Sequence, residues 1–105
     1  MGQKPDERAI TFINKVQQKF PLSQAILFGS RARGDHFNNS DYDFIIVSDE
    51  FLDVFFSKRI AMMYEFWDFF PIDVEPLCYT NAEFARKKEQ IGIVQEAVKE
   101  GISLI

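Results

Sequence analysis

The sequence predicts one small α/β domain in which helices pack on a sheet. Three observations carry that reading. Apolar runs at 24–28, 42–47 and 72–79 have the length and composition of buried strands. Helical apolar patterns precede, separate and follow them. No linker, repeat or low-complexity stretch divides the 105 residues, so a single domain over 1–105 is expected. A chain of that length holds one core with little surplus stability.

Taken in order, Pro5-Asp6-Glu7 puts proline and acids where a helix start wants them. Ala9, Ile10, Phe12, Ile13, Val16 and Phe20 share one side of a helical wheel, and Pro21 stops the pattern. The run from Gln24 to Phe28 is a buried strand ending at Gly29. Residues 31–40 read as a polar loop, with Gly34-Asp35 and Asn38-Asn39-Ser40 as turn signals. A second strand follows from Tyr42 to Val47. Asp53 can cap a helix that runs to about Phe69, ahead of Pro71. The third strand covers Ile72 to Tyr79, with Pro76 expected at an edge or a bend. Thr80 or Asn81 can cap another helix, which Gly92 kinks or ends. A last helical stretch spans Ile93 to Glu100, before the apolar tail 102–105.

Charge and cysteine content exclude some functions. Twelve Lys and Arg against sixteen Asp and Glu leave a net charge of −4, the wrong balance for a domain built to grip nucleic-acid backbone. Stable nucleic-acid binding is therefore not expected. One cysteine, Cys78, excludes an internal disulfide and a cysteine-rich zinc site, and its apolar strand makes it a core residue. The residues after Met1 lack the apolar core of a signal peptide, and no apolar stretch reaches the length of a membrane span. A cytoplasmic location is expected, without membrane association.

The chemistry-bearing residues concentrate in two places. Asp41 and Asp43 flank Tyr42 at the head of the second strand, so strand alternation sends both carboxylates to one face. Asp73 lies between Ile72 and Val74 and faces away from them, on the side of Glu75. Three carboxylates in one pocket are costly unless a cation neutralises them, and hard oxygen ligands suit Mg²⁺ or Mn²⁺. By itself a D-x-D is ordinarily a turn residue followed by a solvated strand residue. Gly29-Ser30 follows the first strand directly. Glycine permits close approach of a phosphate to the backbone, Ser30 adds a hydroxyl, and Arg31 and Arg33 offset anionic charge. By itself that pair is an ordinary turn, and the P-loop pattern is absent.

Together the two form G-S, ten residues, then D-x-D, with an aspartate in a later strand. Phe28-Gly29-Ser30-Arg31-Ala32-Arg33-Gly34 and the run from Ser40 to Val47 resemble the nucleotidyltransferase superfamily that includes DNA polymerase beta. In particular the chain looks like a minimal nucleotidyltransferase over residues 5 to 100. The resemblance implies a small mixed sheet packed with helices. It implies that Gly29 and Ser30 hold a triphosphate and that Arg33 contacts phosphate, whereas Arg31 reads equally well as a surface residue. It implies that Asp41, Asp43 and Asp73 are both the catalytic carboxylates and the ligands of two Mg²⁺ ions. Asp73 would help take the proton of the attacking hydroxyl, with Glu75 as a substitute. The implied reaction moves a nucleoside monophosphate from an NTP, ATP by family habit, onto an acceptor hydroxyl.

A bare catalytic domain of net charge −4 argues against template-directed synthesis and for a protein acceptor. On the expected helix from Asp53, the residues Phe55, Phe56, Ile60, Met62, Met63, Tyr64, Phe66, Trp67 and Phe69 cover more of the wheel than packing on one sheet needs. The excess suggests a second buried surface, since aromatic residues and Met are favoured at interfaces; internal burial by later helices is the plain alternative. The family supplies a partner: minimal nucleotidyltransferases are commonly paired with HEPN ribonucleases as toxin–antitoxin systems. The resemblance thus implies an antitoxin that modifies a HEPN protein docked on 53–69. A non-catalytic antitoxin acting sterically, and a transferase for small hydroxylated molecules, are the alternatives. A homo-oligomer is compatible with the same surface. His36 reads as a solvated loop residue, Asp35 as a turn residue, and Arg86-Lys87-Lys88 as a solvated helix face.

Overall fold

The computed structural model describes residues 6–105; Met1 to Pro5, including the proline expected at the first helix start, lie outside the described residues. The sheet has four strands in the order β3-β2-β1-β4: β1 (Gln24–Phe28), β2 (Tyr42–Val47), β3 (Val74–Tyr79) and β4 (Ile102–Ser103). β1 runs antiparallel to both neighbours, while β2 and β3 are parallel, so the sheet is mixed. Among the described residues five α-helices accompany it: α1 (Glu7–Gln17), α2 (Ser30–Arg33), α3 (Phe56–Tyr64), α4 (Asn81–Lys87) and α5 (Ile93–Glu100).

Strand alternation splits the interior into two cores. Tyr42, Phe44 and Ile46 face α1 and α3, where Phe12, Met63 and Trp67 complete the larger core. The Phe12 ring meets Phe44 at 4.9 Å and Trp67 edge-on at 5.3 Å, geometries worth about 1 kcal/mol each beyond area burial. Ile45 and Val47 face the other way, toward Phe84 of α4 and Val94 and Ala97 of α5. The tail strand β4 pairs with β1 through Ile26↔Ser103 and Leu27↔Ile102.

The first helix begins as its sequence indicates, with the Asp6 carboxylate accepting from the Arg8 N–H at 2.8 Å. Thr80 caps α4 in a reciprocal box with Glu83. Pro76 sits on the edge strand β3, where its missing N–H costs least. Cys78 is buried, and burial pushes its thiol up to about 12.

The helix expected over 53–69 is corrected. Asp53 caps nothing: it adopts φ +63° after a short 3₁₀ turn at Asp49–Phe51 that Ser48 caps. The helix proper starts at Phe56 and ends at Tyr64. Beyond it Trp67 turns inward, donating its indole N–H to the Ile72 carbonyl at 2.7 Å and packing on Phe12 and Phe69. Phe66 and Phe69 pack against the same core. Much of the apolar excess on that wheel is therefore core of a turn rather than one face of a long helix. The aromatic side chains left exposed are Phe55, Phe56, Tyr64 and Phe70. Three smaller corrections accompany it: residues 31–33 of the expected loop belong to the helix α2, α1 stops at Gln17, and β3 begins at Val74, one residue after Asp73.

Candidate active site

The site forms where β1 ends. Gly29, at φ +74°, breaks the strand direction and becomes the N-cap of α2. An L-residue pays for that backbone conformation, and glycine does not. The Ala32 and Arg33 amides donate to the Gly29 carbonyl at 3.1 Å each, which leaves the first amides of α2 without helical partners. In β2, Asp43 pairs with Phe28, the residue before Gly29. The Gly-Ser turn and the second aspartate of D-x-D are thus adjacent rungs of one antiparallel ladder.

The parallel β2–β3 register pairs Asp43 with Glu75, and the Tyr42 N–H donates to the Asp73 carbonyl at 3.0 Å. Asp41 and Asp73 therefore head the two strands side by side, with Asp43 and Glu75 one step further along the same face. The half-buried Asp43 carboxyl is pushed up to about 6. Burial is the main cause, followed by hydrogen bonding with Glu75 and by the charges of Glu75 and Asp41; the Arg33 guanidinium acts in the opposite sense. Glu75, expected only as a substitute, is the carboxylate that bears most directly on Asp43. Asp73 is partly turned to its own strand, accepting from the Val74 N–H at 2.8 Å. Tyr64 at the end of α3 feels the same cluster: burial and the charges of Asp73, Glu75 and Asp41 raise its hydroxyl pKa.

The sequence leaves Arg31 open between a phosphate contact and a surface position. It is 7% exposed, not a surface residue. Its guanidinium donates to the Ser40 carbonyl at 2.9 and 3.2 Å and to the Asn38 carbonyl at 3.1 Å, and stacks 4.3 Å from the centre of the Tyr42 ring. It therefore ties the helix that follows Gly29 to the loop that delivers Asp41. Arg33 is exposed, ion-paired to Asp35 at 3.2 Å, and beside Gly29 on the wall of a cavity of about 250 Å³ that α5 closes through Ile93, Glu96 and Ala97. His36 is an exposed loop residue.

Comparison with known proteins fits this geometry. The nucleotidyltransferase domain family matches residues 10–100. The chain belongs to the nucleotidyltransferase family. Its fold is that of a crystallised protein titled a "putative nucleotidyltransferase" from Sulfolobus solfataricus, at a TM-score of 0.65 and 26% identity over 92% of this chain and 76% of that one. A Methanocaldococcus jannaschii protein named "Putative protein adenylyltransferase" is 45% identical over 47 residues, which is 42% of this chain and 47% of that protein. The match spans about half the length of that relative.

Nucleotidyltransferases use a nucleoside triphosphate and a divalent metal, and the donors here suit one in kind. They are hard carboxylate oxygens on one face of β2 and β3, and, after burial, the neighbouring Glu75 and Asp41 carboxylates add to the raised Asp43 pKa, a charge crowding that a cation would relieve. Among the described residues, no three His, Cys, Asp or Glu side chains stand close enough as placed to hold a metal ion. Likewise, no helix among the described residues is long and apolar enough to cross a membrane.

Proposed function

We propose that this nucleotidyltransferase moves AMP from ATP onto a hydroxyl of a protein acceptor. The observation that carries the reading is the adjacency of Gly29 and Asp43 across the β1–β2 ladder, which sets a phosphate-approachable turn against a carboxylate face. Gly29 and Ser30 would receive the triphosphate, with Arg33 offsetting its charge. Asp41 and Asp43, joined by Asp73 once it leaves the Val74 N–H, would hold Mg²⁺. When bound, the metal supplies charge neutralisation at the transferring phosphate.

The acceptor oxygen forms a bond to the α-phosphorus as the bond to the bridging α–β oxygen breaks, and pyrophosphate leaves. The acceptor's proton goes to a carboxylate of the Asp73–Glu75 pair. Positioning and electrostatics provide most of the rate. A protein acceptor is supported by the name of the archaeal relative and by the net charge of −4, which disfavours long nucleic acids. A HEPN ribonuclease is the proposed acceptor, making the chain the antitoxin of a pair. The exposed Phe55 and Phe70 flank α3 and suit such a contact.

One observation favours a second reading. The engagement of Asp73 with its own backbone suits a binding module that neutralises its partner sterically. Incubation with α-³²P-ATP, Mg²⁺ and a co-expressed HEPN protein, beside the Asp41→Asn/Asp43→Asn variant, separates them. Label on the partner from wild type only supports transfer. A partner bound equally by both proteins and never labelled supports the steric reading.

A further inference from the structure

At the far end of β3, about six residues and roughly 20 Å from Asp73, α4 presents Glu83, Arg86 and Lys87 along one side. With Phe56, Tyr79 and Gln90 they line a half-open cavity of about 320 Å³. A second cavity of about 130 Å³, walled by Ile91 and Ile93, shares Tyr79, Lys87 and Gln90 with the first. The two adjoin as a single trough along the outer side of α4.

The charge in this trough is unbalanced. Glu83 is committed inward: its two oxygens accept from Arg59 at 2.6 and 3.3 Å, and one also takes the Thr80 N–H. Among the described residues, neither Arg86 nor Lys87 has a carboxylate partner. A chain of net charge −4 therefore carries a locally basic trough with an aromatic floor. Exposed apolar side chains adjoin it: Ile91, in its wall, is 98% exposed, and Phe55, next to Phe56 in sequence, 84%. A small anion would satisfy the two cations and leave that apolar surface in water, whereas an extended segment covers both.

We propose that this trough docks an acidic segment of a partner protein. The segment's carboxylates would meet Arg86 and Lys87, and its apolar side chains would lie on Phe56, Tyr79 and Ile91. Charge complementarity sets the sign of the partner. The proposal is independent of the chemistry at the carboxylate face.

The test is selection of binders to the intact protein from a random 12-residue peptide display library, followed by titration of synthesised winners. The expected winners are rich in Asp and Glu beside Leu or Phe. They should shift NMR signals of Phe56, Tyr79 and Ile91 and weaken at least tenfold with Arg86→Glu/Lys87→Glu. Arg86→Gln/Lys87→Gln and Phe56→Ala, each checked by circular dichroism, decide the matter if charge reversal disturbs α4. Absence of acidic winners, binding indifferent to these variants, or shifts confined to the carboxylate face would overturn the proposal. So would saturation of the same signals by AMP alone, or their concentration-dependent shift without peptide, which would indicate a nucleotide site or self-association.

Discussion

A side chain on Gly29 would collide with the Asp43 carboxylate: a Cβ built there runs into Oδ2 and comes within 3.3 Å of Cγ. The two motifs that define the family are thus in van der Waals contact, and the glycine is required twice, once for that space and once for φ +74°. Gly29→Ala is expected to cost about 1–3 kcal/mol in chemical denaturation and to abolish binding of the triphosphate proposed to sit at this turn. In an Asp43→Ala background the steric share disappears and about 1 kcal/mol of backbone strain remains. Equal costs in both backgrounds would refute the contact.

Arg31 supplies a second link between the motifs. Lysine at this position keeps the charge but loses the planar fork that reaches both Asn38 and Ser40 while stacking on Tyr42. Arg31→Lys is expected to cost about 1–3 kcal/mol and to speed amide hydrogen exchange over 38–41. Activity should fall through misplacement of Asp41. Unchanged exchange in that loop would show that Arg31 does not hold it.

These two relationships mark what was legible in the chain and what was not. Gly29, Ser30, Asp41 and Asp43 are readable because strand alternation and turn chemistry are local, and the spacing of G-S and D-x-D is specific. The buried strand from Tyr42 to Val47 was readable for the same reason. Register is not local. That Asp43 lies opposite Glu75 depends on how β2 and β3 pair in parallel, and nothing in either segment fixes it. The burial of Arg31 depends on a loop folding back nine residues later. The end of α3 depends on Trp67 finding the Ile72 carbonyl and the Phe12 ring, a tertiary preference that outweighs the helical pattern up to Pro71.

The carboxylate face stores a pH-dependent cost. Asp43 is raised from an ordinary 3.8 to about 6, so its folded form prefers to be protonated. Its contribution to stability is full below about pH 3.8 and is lost as pH rises through 6. After allowance for its half-exposed position the loss is on the order of 1–2 kcal/mol. Millimolar Mg²⁺ should restore that stability at pH 7.5, do little at pH 4, and leave Asp41→Asn/Asp43→Asn unchanged; chelation should reverse the gain. Calorimetric melting with and without Mg²⁺ checks this, and an equal Mg²⁺ response in the variant would rule these aspartates out as the proposed metal ligands.

Glu83 behaves with the opposite sign. Arg59, a buried residue of α3, donates to both of its oxygens and to the Cys78 carbonyl of β3 at 3.1 Å. Hydrogen bonding to Arg59 is the main cause that holds the Glu83 carboxyl down at about 2, against an ordinary 4.5. A lowered pKa stabilises the fold above 4.5, and that stability drains away as pH falls from 4.5 toward 2. Its side chain is 33% exposed, so screening reduces the contribution to about 2 kcal/mol. Glu83→Gln should lose roughly that amount at pH 7, where it leaves the buried Arg59 guanidinium without its counter-charge, and should lose little at pH 2.5. The two carboxyls together predict maximal stability of the metal-free protein near pH 4–5, between the gain from Glu83 and the loss from Asp43. Denaturation midpoints measured from pH 2.5 to 8 test this. In Glu83→Gln the acid limb should flatten while the decline through pH 6 persists; a variant that keeps the full acid limb would show that the Arg59 pair does not set it.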